Sequence, residues 1–319
     1  MSAAAASPSG PWTIDRRSHA YPACLRNLAE GEQPVLHGVG DRDAVERLDH
    51  SATVTIVGAR QASSYGIEVA ERLACELAYG GVTVVSGMAR GIDAAAHRGA
   101  LAAGGTTLAV LAGGPDVVYP PSHRDLYRSI LTCGAAISEH PPGAAPHRHR
   151  FPARNRIMAA LGSVIVIVEA AQPSGSLITA DLGAKLGRTV GAVPGQLGVR
   201  VAEGANDLIK EGAHLVRDGR DVLDLLFGVG LGRTGIRLER APGPRPGPTL
   251  DPALGEILDA VSGGAGTVDR IAGVCELAPR EAAIALARLE RLGYLRADTL
   301  GAYIRTGLEP REQPGAGRE

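Results

Sequence analysis

Val54-Thr55-Ile56-Val57 is an unbroken apolar, β-branched run that stops at Gly58, and a helix-period stretch follows from Tyr65. A run that continuous does not suit a strand wet on one face. It predicts a strand buried on both sides that feeds a tight turn and then a helix. The unit recurs down the chain. V-T-V-V precedes a helical stretch over 91–103, T-T-L-A-V-L-A precedes one near 122–132, and a short strand over 135–138 precedes a helix over 151–161. S-V-I-V-I-V-E leads into a helix over 176–186, and T-V-G-A-V into a last pair near Asn206 and Leu215. Such alternation predicts an α/β domain with a doubly wound parallel sheet, helices on both faces, and ligands bound beyond the C-terminal strand ends.

Around this domain, residues 51–227, the chain divides by composition. Residues 1–11 are Ala/Ser/Pro/Gly with no basic residue or apolar segment, which predicts a disordered leader and not a signal peptide. Residues 12–50 read as a short lead-in with a strand-like P-V-L-H-G-V-G. Residues 228–249, rich in Gly, Pro and Arg, read as a linker. In 250–308, Leu254, Ile257, Leu258 and Val261 share one helical face, Thr267 caps a short helix, and an amphipathic stretch over 279–292 follows. Y-L-R-A-D-T-L-G-A-Y-I-R-T then reads as two strands about a turn at Leu300 and Gly301, so the module predicts a small winged helix. Residues 309–319 read as a disordered tail.

No apolar run approaches membrane-spanning length, and Cys24, Cys75, Cys133 and Cys275 lack C-x-x-C spacing. Both features point to a cytoplasmic chain with reduced thiols, no metal site and no cofactor. The net charge of -1 gives no overall case for nucleic acid, but the charge is uneven. No acidic residue falls between Glu139 and Glu169, an interval holding His140, His147, Arg148, His149, Arg150, Arg154 and Arg156. Lys185 and Lys210 are the only lysines, so nearly every positive charge is a planar fork suited to phosphate or to stacking on a base.

The strand-end turns are small and rich in donors: G-A-R at 58–60, S-G-M-A-R-G-I-D at 86–93, A-G-G at 112–114 and P-S-G-S at 173–176. Aligned along one sheet edge they predict an extended phosphate-binding groove. A G-x-G-x-x-G after the first strand and a G-x-x-x-x-G-K-[ST] are both absent, which disfavours a dinucleotide dehydrogenase or a P-loop triphosphatase. His97, His123 and Asp93 have no serine or cysteine elbow beside them and read as structural, with Asp93 in the first turn of its helix. Glu169, at the end of a buried strand, is expected to orient an arginine. In H-R-H-R-F-P-A-R-N-R-I a lone phenylalanine, Phe151, stands among arginines, as a stacking platform for an unpaired base requires. The competing expectation is that its ring plugs the core.

V-G-A-R with S-x-Y-G, S-G-M-A-R-G-I-D-A-A-A-H, G-G-P-D-V-V-Y-P-P, I-S-E-H-P-P, F-P-A-R-N-R-I-M-A-A-L, V-I-V-E-A, S-G-S-L-I-T-A and V-P-G resemble, in order and spacing, the bacterial DNA-processing protein A family (DprA, also called Smf). The resemblance covers about residues 20–227. It implies an extended Rossmann-like domain, a C-terminal winged helix as many members carry, and a homodimer that binds single-stranded DNA. It also implies loading of the recombinase RecA onto incoming strands in natural transformation, without enzymatic activity. Motif by motif it makes Arg60 a phosphate contact and Phe151 the base-stacking residue. Gly58, Ser86, Gly87, Arg90, Arg148, Arg150, Arg154, Asn155, Arg156, Ser174 and Ser176 complete the expected DNA contacts. Two departures matter. Arg148 stands where members commonly hold a lysine, with Arg150 as a possible substitute, and Pro121 stands where some hold a lysine after Y-P. The stretch before Tyr21 is too short for the N-terminal helical domain of part of the family.

Two other functions fit parts of the sequence. A hydrolase resembling the cytokinin-activating phosphoribohydrolases would need P-G-G-x-G-T and a following glutamate, where this chain has A-G-G-P-D. A transcription factor would read duplex DNA with the winged helix, but Arg280, Arg288 and Arg291 there alternate with Glu281 and Glu290.

Overall fold

A computed structural model describes residues 10–228, 245–246, 248–263, 265–297, 302–305 and 308–309. The expected leader, most of the linker, the turn at Leu300 and Gly301, and nearly all of the tail lie outside these residues. The described chain forms two compact units, divided between Ala241 and Pro242.

In the first unit nine strands make one sheet in the order β1-β2-β6-β5-β4-β3-β7-β8-β9. They are β1 (Trp12–Ile14), β2 (Leu36–Gly40), β3 (Thr53–Val57), β4 (Thr83–Ser86), β5 (Thr107–Val110), β6 (Gly134–Ser138), β7 (Val164–Ile167), β8 (Thr189–Ala192) and β9 (His214–Leu215). From β6 to β9 every pairing is parallel. The segment 12–50, read from sequence as a lead-in, instead extends the sheet, because β1 pairs with β2 and β2 with β6, both antiparallel. Its first strand is held by Trp12, which lies flat on Gly38 and donates its indole N–H to Gly40 O at 3.0 Å.

The strands alternate between two cores, as a sheet covered on both faces must. Along β7, Ile165 and Ile167 pack with Ile157, Leu161 and Ala180 from α5 (Arg150–Leu161) and α6 (Gly175–Lys185). Val164 and Val166 pack on the other face with Leu73, Ala96 and Val222 from α2 (Ser64–Tyr79), α3 (Ile92–Ala102) and α8 (Gly219–Phe227). α1 (Asp43–Glu46) precedes these helices, and α4 (Arg124–Cys133) and α7 (Arg200–Lys210) fall between them. The chain winds outward from β3 to β6 and then returns to β7 on the opposite side of β3. That reversal leaves a crevice beyond the C-terminal ends of β3 and β7, where ligands of open α/β sheets bind.

His97 shows how tightly the far core is specified. The Thr107 hydroxyl donates to Val84 O at 2.8 Å, so its oxygen must accept from His97 Nδ1, 2.7 Å away. That leaves Nε2 as a bare, buried nitrogen without a partner among the described residues. Burial, reinforced by Arg154, pushes the ring pKa from 6.5 down to about 3. A depressed folded value means that the native state resists a proton the unfolded chain accepts, so stability falls as pH drops below 6.5 and levels off near 3. Between pH 7 and pH 5 this one ring is expected to cost about 2 kcal/mol. Urea unfolding at the two pH values should therefore show a difference about that much smaller in His97→Gln than in the parent. Equal differences would mean that the ring is wet.

The second unit contains α9 (Pro252–Ser262), α10 (Val268–Val274) and α11 (Pro279–Arg291) around a core of Leu254, Ile257, Leu258, Ile271, Leu286 and Tyr294. Asp251 caps α9 by accepting from Ala253 N, and Thr267 caps α10 by accepting from Arg270 N. Besides the short pairing of β10 (Arg245–Pro246) with β13 (Leu308–Glu309), β11 (Leu295–Ala297) and β12 (Tyr303–Arg305) form an antiparallel pair. Three helices and this pair are the elements from which the sequence predicts a winged helix.

Candidate nucleic-acid interface

The crevice opens into a groove of about 980 Å³ lined by the turns that follow β3, β4 and β7 and by the start of α5. The turn after β3 is fixed from the neighbouring strand. Ala59 N donates to Glu169 O at 2.7 Å, Ser63 N donates to Glu169 Oε2 at 2.9 Å, and the Ser63 hydroxyl donates to the same carboxylate. Ser63 Oγ in turn accepts from Gly66 N, capping α2. A Cβ at Gly66 would lie 2.3 Å from Glu169 Oε2, so the close approach needs glycine. Glu169 is held at φ 104 by this lacing. The sequence expectation that it orients an arginine is therefore corrected: it holds a serine-capped loop, and Arg60 is carried on that loop.

Nine of the thirteen expected contacts line the groove: Gly58, Arg60, Arg90, Arg148, Phe151, Arg154, Asn155, Ser174 and Ser176. Arg60, Arg90 and Arg148 are exposed. They are joined by exposed Arg200 at the start of α7, which sequence reasoning passed over because nothing near it suggests a phosphate turn. Among the described residues, Arg90, Arg148 and Arg200 have no ion-pair partner. The one carboxylate in the lining, Asp93, is buried in the first turn of α3, where Ala89 N donates to it. Burial raises its pKa, with Arg154 opposing. Four exposed guanidiniums facing one buried carboxyl give the groove a positive floor and rim.

The remaining arginines of the basic segment are spent inside the protein. Arg154 is 4% exposed, and its Nη1 donates to Gly87 O at 2.8 Å and Val110 O at 2.5 Å. It thereby brackets the ends of β4 and β5. Burial lowers its pKa to about 10, so it stays charged at neutral pH. A Cβ at Gly87 would lie 2.0 Å from that nitrogen, which explains the glycine without a ligand. Arg156 makes a two-pronged pair with Glu139, at 2.8 and 2.7 Å, and Arg150 donates to Ala145 O. Neither lines the groove, and neither does Ser86, whose buried hydroxyl donates to Ile56 O. Asn155 lines it but donates to Gly175 O, tying α5 to the first turn of α6. That turn is capped by Ser174, which accepts from Ser176 N, so amides at a helix N-terminus border the groove.

Phe151 sits in the first turn of α5, half-buried and outside the apolar cores. The Arg60 guanidinium lies over its ring, 5.1 Å from the centroid. The Tyr119 ring lies 5.6 Å away, tilted by 58°. Tyr119 was not among the expected contacts, because its turn reads from sequence only as a Y-P-P loop.

The family model described as DNA recombination-mediator protein A matches residues 12–227. A putative DNA processing protein DprA of Mycobacterium tuberculosis is 42% identical over 254 residues, 77% of this chain and 63% of that protein. The chain thus spans less than two thirds of that relative's length. Protein Smf of Synechocystis is 34% identical over 310 residues, 89% of this chain and 78% of that protein. Among solved structures, DNA processing protein A of Streptococcus pneumoniae is similar with a TM-score of 0.62 at 37% identity, covering 67% of this chain and 74% of its own. The Helicobacter pylori protein, described for its single-stranded DNA binding mode, is similar with a TM-score of 0.60 at 29% identity, covering 68% of this chain and 95% of its own.

Proposed function

Because the chain belongs to the DNA recombination-mediator protein A family, we propose that its first unit binds single-stranded DNA in the groove beyond β3 and β7. One observation carries this reading: exposed Arg60, Arg90, Arg148 and Arg200 line the same groove as the half-buried ring of Phe151. Guanidiniums neutralise phosphates, and an aromatic face takes any unpaired base, so the combination favours single strands with little sequence preference. Gly58 lines the groove but is glycine for internal packing, since a Cβ there would lie 2.6 Å from Ile92 Cγ1 and 2.8 Å from Glu169 O, while Ser174 and Ser176 offer hydroxyls beside the α6 amides. Of the two arginines that could stand for the family lysine, Arg148 is the better placed, since it lines the groove whereas Arg150 is bonded to Ala145 O. Arg154, Asn155, Gly87 and Ser86 shape the groove from behind.

In the cell the protein protects incoming single strands and loads a RecA-type recombinase on them, as a cytoplasmic homodimer acting in natural transformation and recombination without catalysis of its own. Residues 250–308 of the second unit make a winged helix that adds avidity or a partner site. The test is binding to single-stranded and duplex oligonucleotides of equal length at several salt concentrations. Single strands are expected to bind more tightly. If all four exposed arginines pair with phosphates, log affinity should fall against log salt with a slope of about -3. Equal affinity for duplex at every salt concentration would refute the reading.

A further inference from the structure

Tyr119 is a large aromatic residue left half in solvent, 50% exposed, on the wall of a positively charged groove. Its loop is nevertheless held firmly. His123 Nδ1 donates to Met88 O at 3.0 Å, Tyr127 donates to Pro115 O at 2.7 Å, and Asp116 accepts from Gly143 N at 2.8 Å. The hydroxyls of Tyr21, Tyr65 and Tyr127 each donate to a backbone carbonyl, which accounts for a tyrosine at those positions. That of Tyr119 has no hydrogen-bond partner among the described residues, so internal bonding does not explain this ring.

We propose that Tyr119 is a second base-stacking platform, working with Phe151 on consecutive nucleotides of one strand. The inference rests on the single-strand reading above and adds to it a geometric source of selectivity. Two bases lying flat on these rings would be inclined to each other by about the 58° between the ring planes. Neighbouring bases of a duplex are parallel, so only a strand whose bases can splay apart satisfies both rings. The splay also sets a preference by stacking strength. Oligothymidylate, whose bases stack weakly, binds better than oligoadenylate, which must first be unstacked.

The experiment compares the full chain with Tyr119→Ala and Tyr119→Phe on three single strands of equal length: oligothymidylate, oligoadenylate, and a strand of the same backbone with every base removed. Losing one stacked base corresponds to a weakening of roughly fivefold or more. Tyr119→Ala is expected to lose at least about fivefold on oligothymidylate and nothing on the baseless strand, because phosphate contacts remain. Tyr119→Phe should match the parent on all three, since the ring and not the hydroxyl does the stacking. The parent's preference for thymidylate over adenylate should shrink in Tyr119→Ala. An equal loss on the baseless strand, or no loss on oligothymidylate, overturns the proposal while leaving the single-strand reading intact. A parent that fails to bind any single strand overturns both. Each variant's melting temperature should stay within a few degrees of the parent's, as expected for an exposed side chain.

Discussion

Arg154→Leu is expected to destabilise the first unit by about 2 to 6 kcal/mol, although the substituted residue borders the groove. The guanidinium is buried and its Nη1 serves two backbone carbonyls, Gly87 O after β4 and Val110 O at the end of β5. A leucine leaves both acceptors dry, at about 1 to 3 kcal/mol each. It also removes the cation that most strongly opposes the burial-raised pKa of Asp93. The carboxyl pKa should then climb further. For an acid with a raised folded value, the associated stability is complete below the ordinary value of 3.8 and is lost as pH rises through the folded value. The deficit of Arg154→Leu should consequently grow from acid towards neutral pH. In an Asp93→Asn background, where no charge can form at that position, it should be smaller and keep only the weaker pH dependence that Arg154 imposes on His97 at the acid end. Denaturant unfolding of the four proteins across that range is the measurement. Deficits below about 1 kcal/mol in both backgrounds would mean that the guanidinium is no bracket and is held in reserve for a ligand.

Arg154 also marks what the sequence could and could not reveal. The sheet was legible because runs such as V-T-I-V and V-I-V-I are β-branched at every position with no charged residue, a signature of strands buried on both faces. The groove was legible because short glycine turns fall where such strands end, and topology then puts the turns after β3 and β7 side by side. The fate of each charge was not legible. Arg148, Arg150, Arg154 and Arg156 look alike in a basic segment, yet helix α5 turns 154 inward and 156 towards Glu139, while 148 lies ahead of the helix in the groove. A period of 3.6 residues decides this, and it acts only once the helix start is known. Of the two antiparallel strands at 12–40, the second was legible as the strand-like P-V-L-H-G-V-G, but the first was not: Trp12–Ile14 is three residues long, too short for alternation to register, and its place is fixed by packing on Gly38. Glu169 was misjudged because its partner, Ser63, lies more than a hundred residues away and is polar without charge.

Removing Arg60 and Phe151 together is expected to weaken single-strand binding by more than the sum of the two single losses, with an excess of about 0.5 to 1 kcal/mol. The sign follows from the contact between them. In the free protein the guanidinium lies over the ring at 5.1 Å, on a surface a base would use for stacking. Binding exchanges that contact for two others, a base on the ring and a phosphate on the guanidinium. Each single variant loses one new contact but is spared breaking the old one, so each single loss understates what its residue contributes. The double variant loses both contacts and is spared the cation–π energy only once. Phe151→Ala alone should cost about 1 to 3 kcal/mol of binding and leave the salt slope nearly unchanged. Arg60→Ala should flatten that slope by about 0.7. A core plug would cost about 3 to 5 kcal/mol of stability on truncation. Phe151 lies outside the apolar clusters, so its alanine variant should melt close to the parent. Additivity within about 0.5 kcal/mol would mean that ring and guanidinium do not exchange partners on binding. A double variant that loses less than the sum would mean that they stay stacked and hold the strand as one unit.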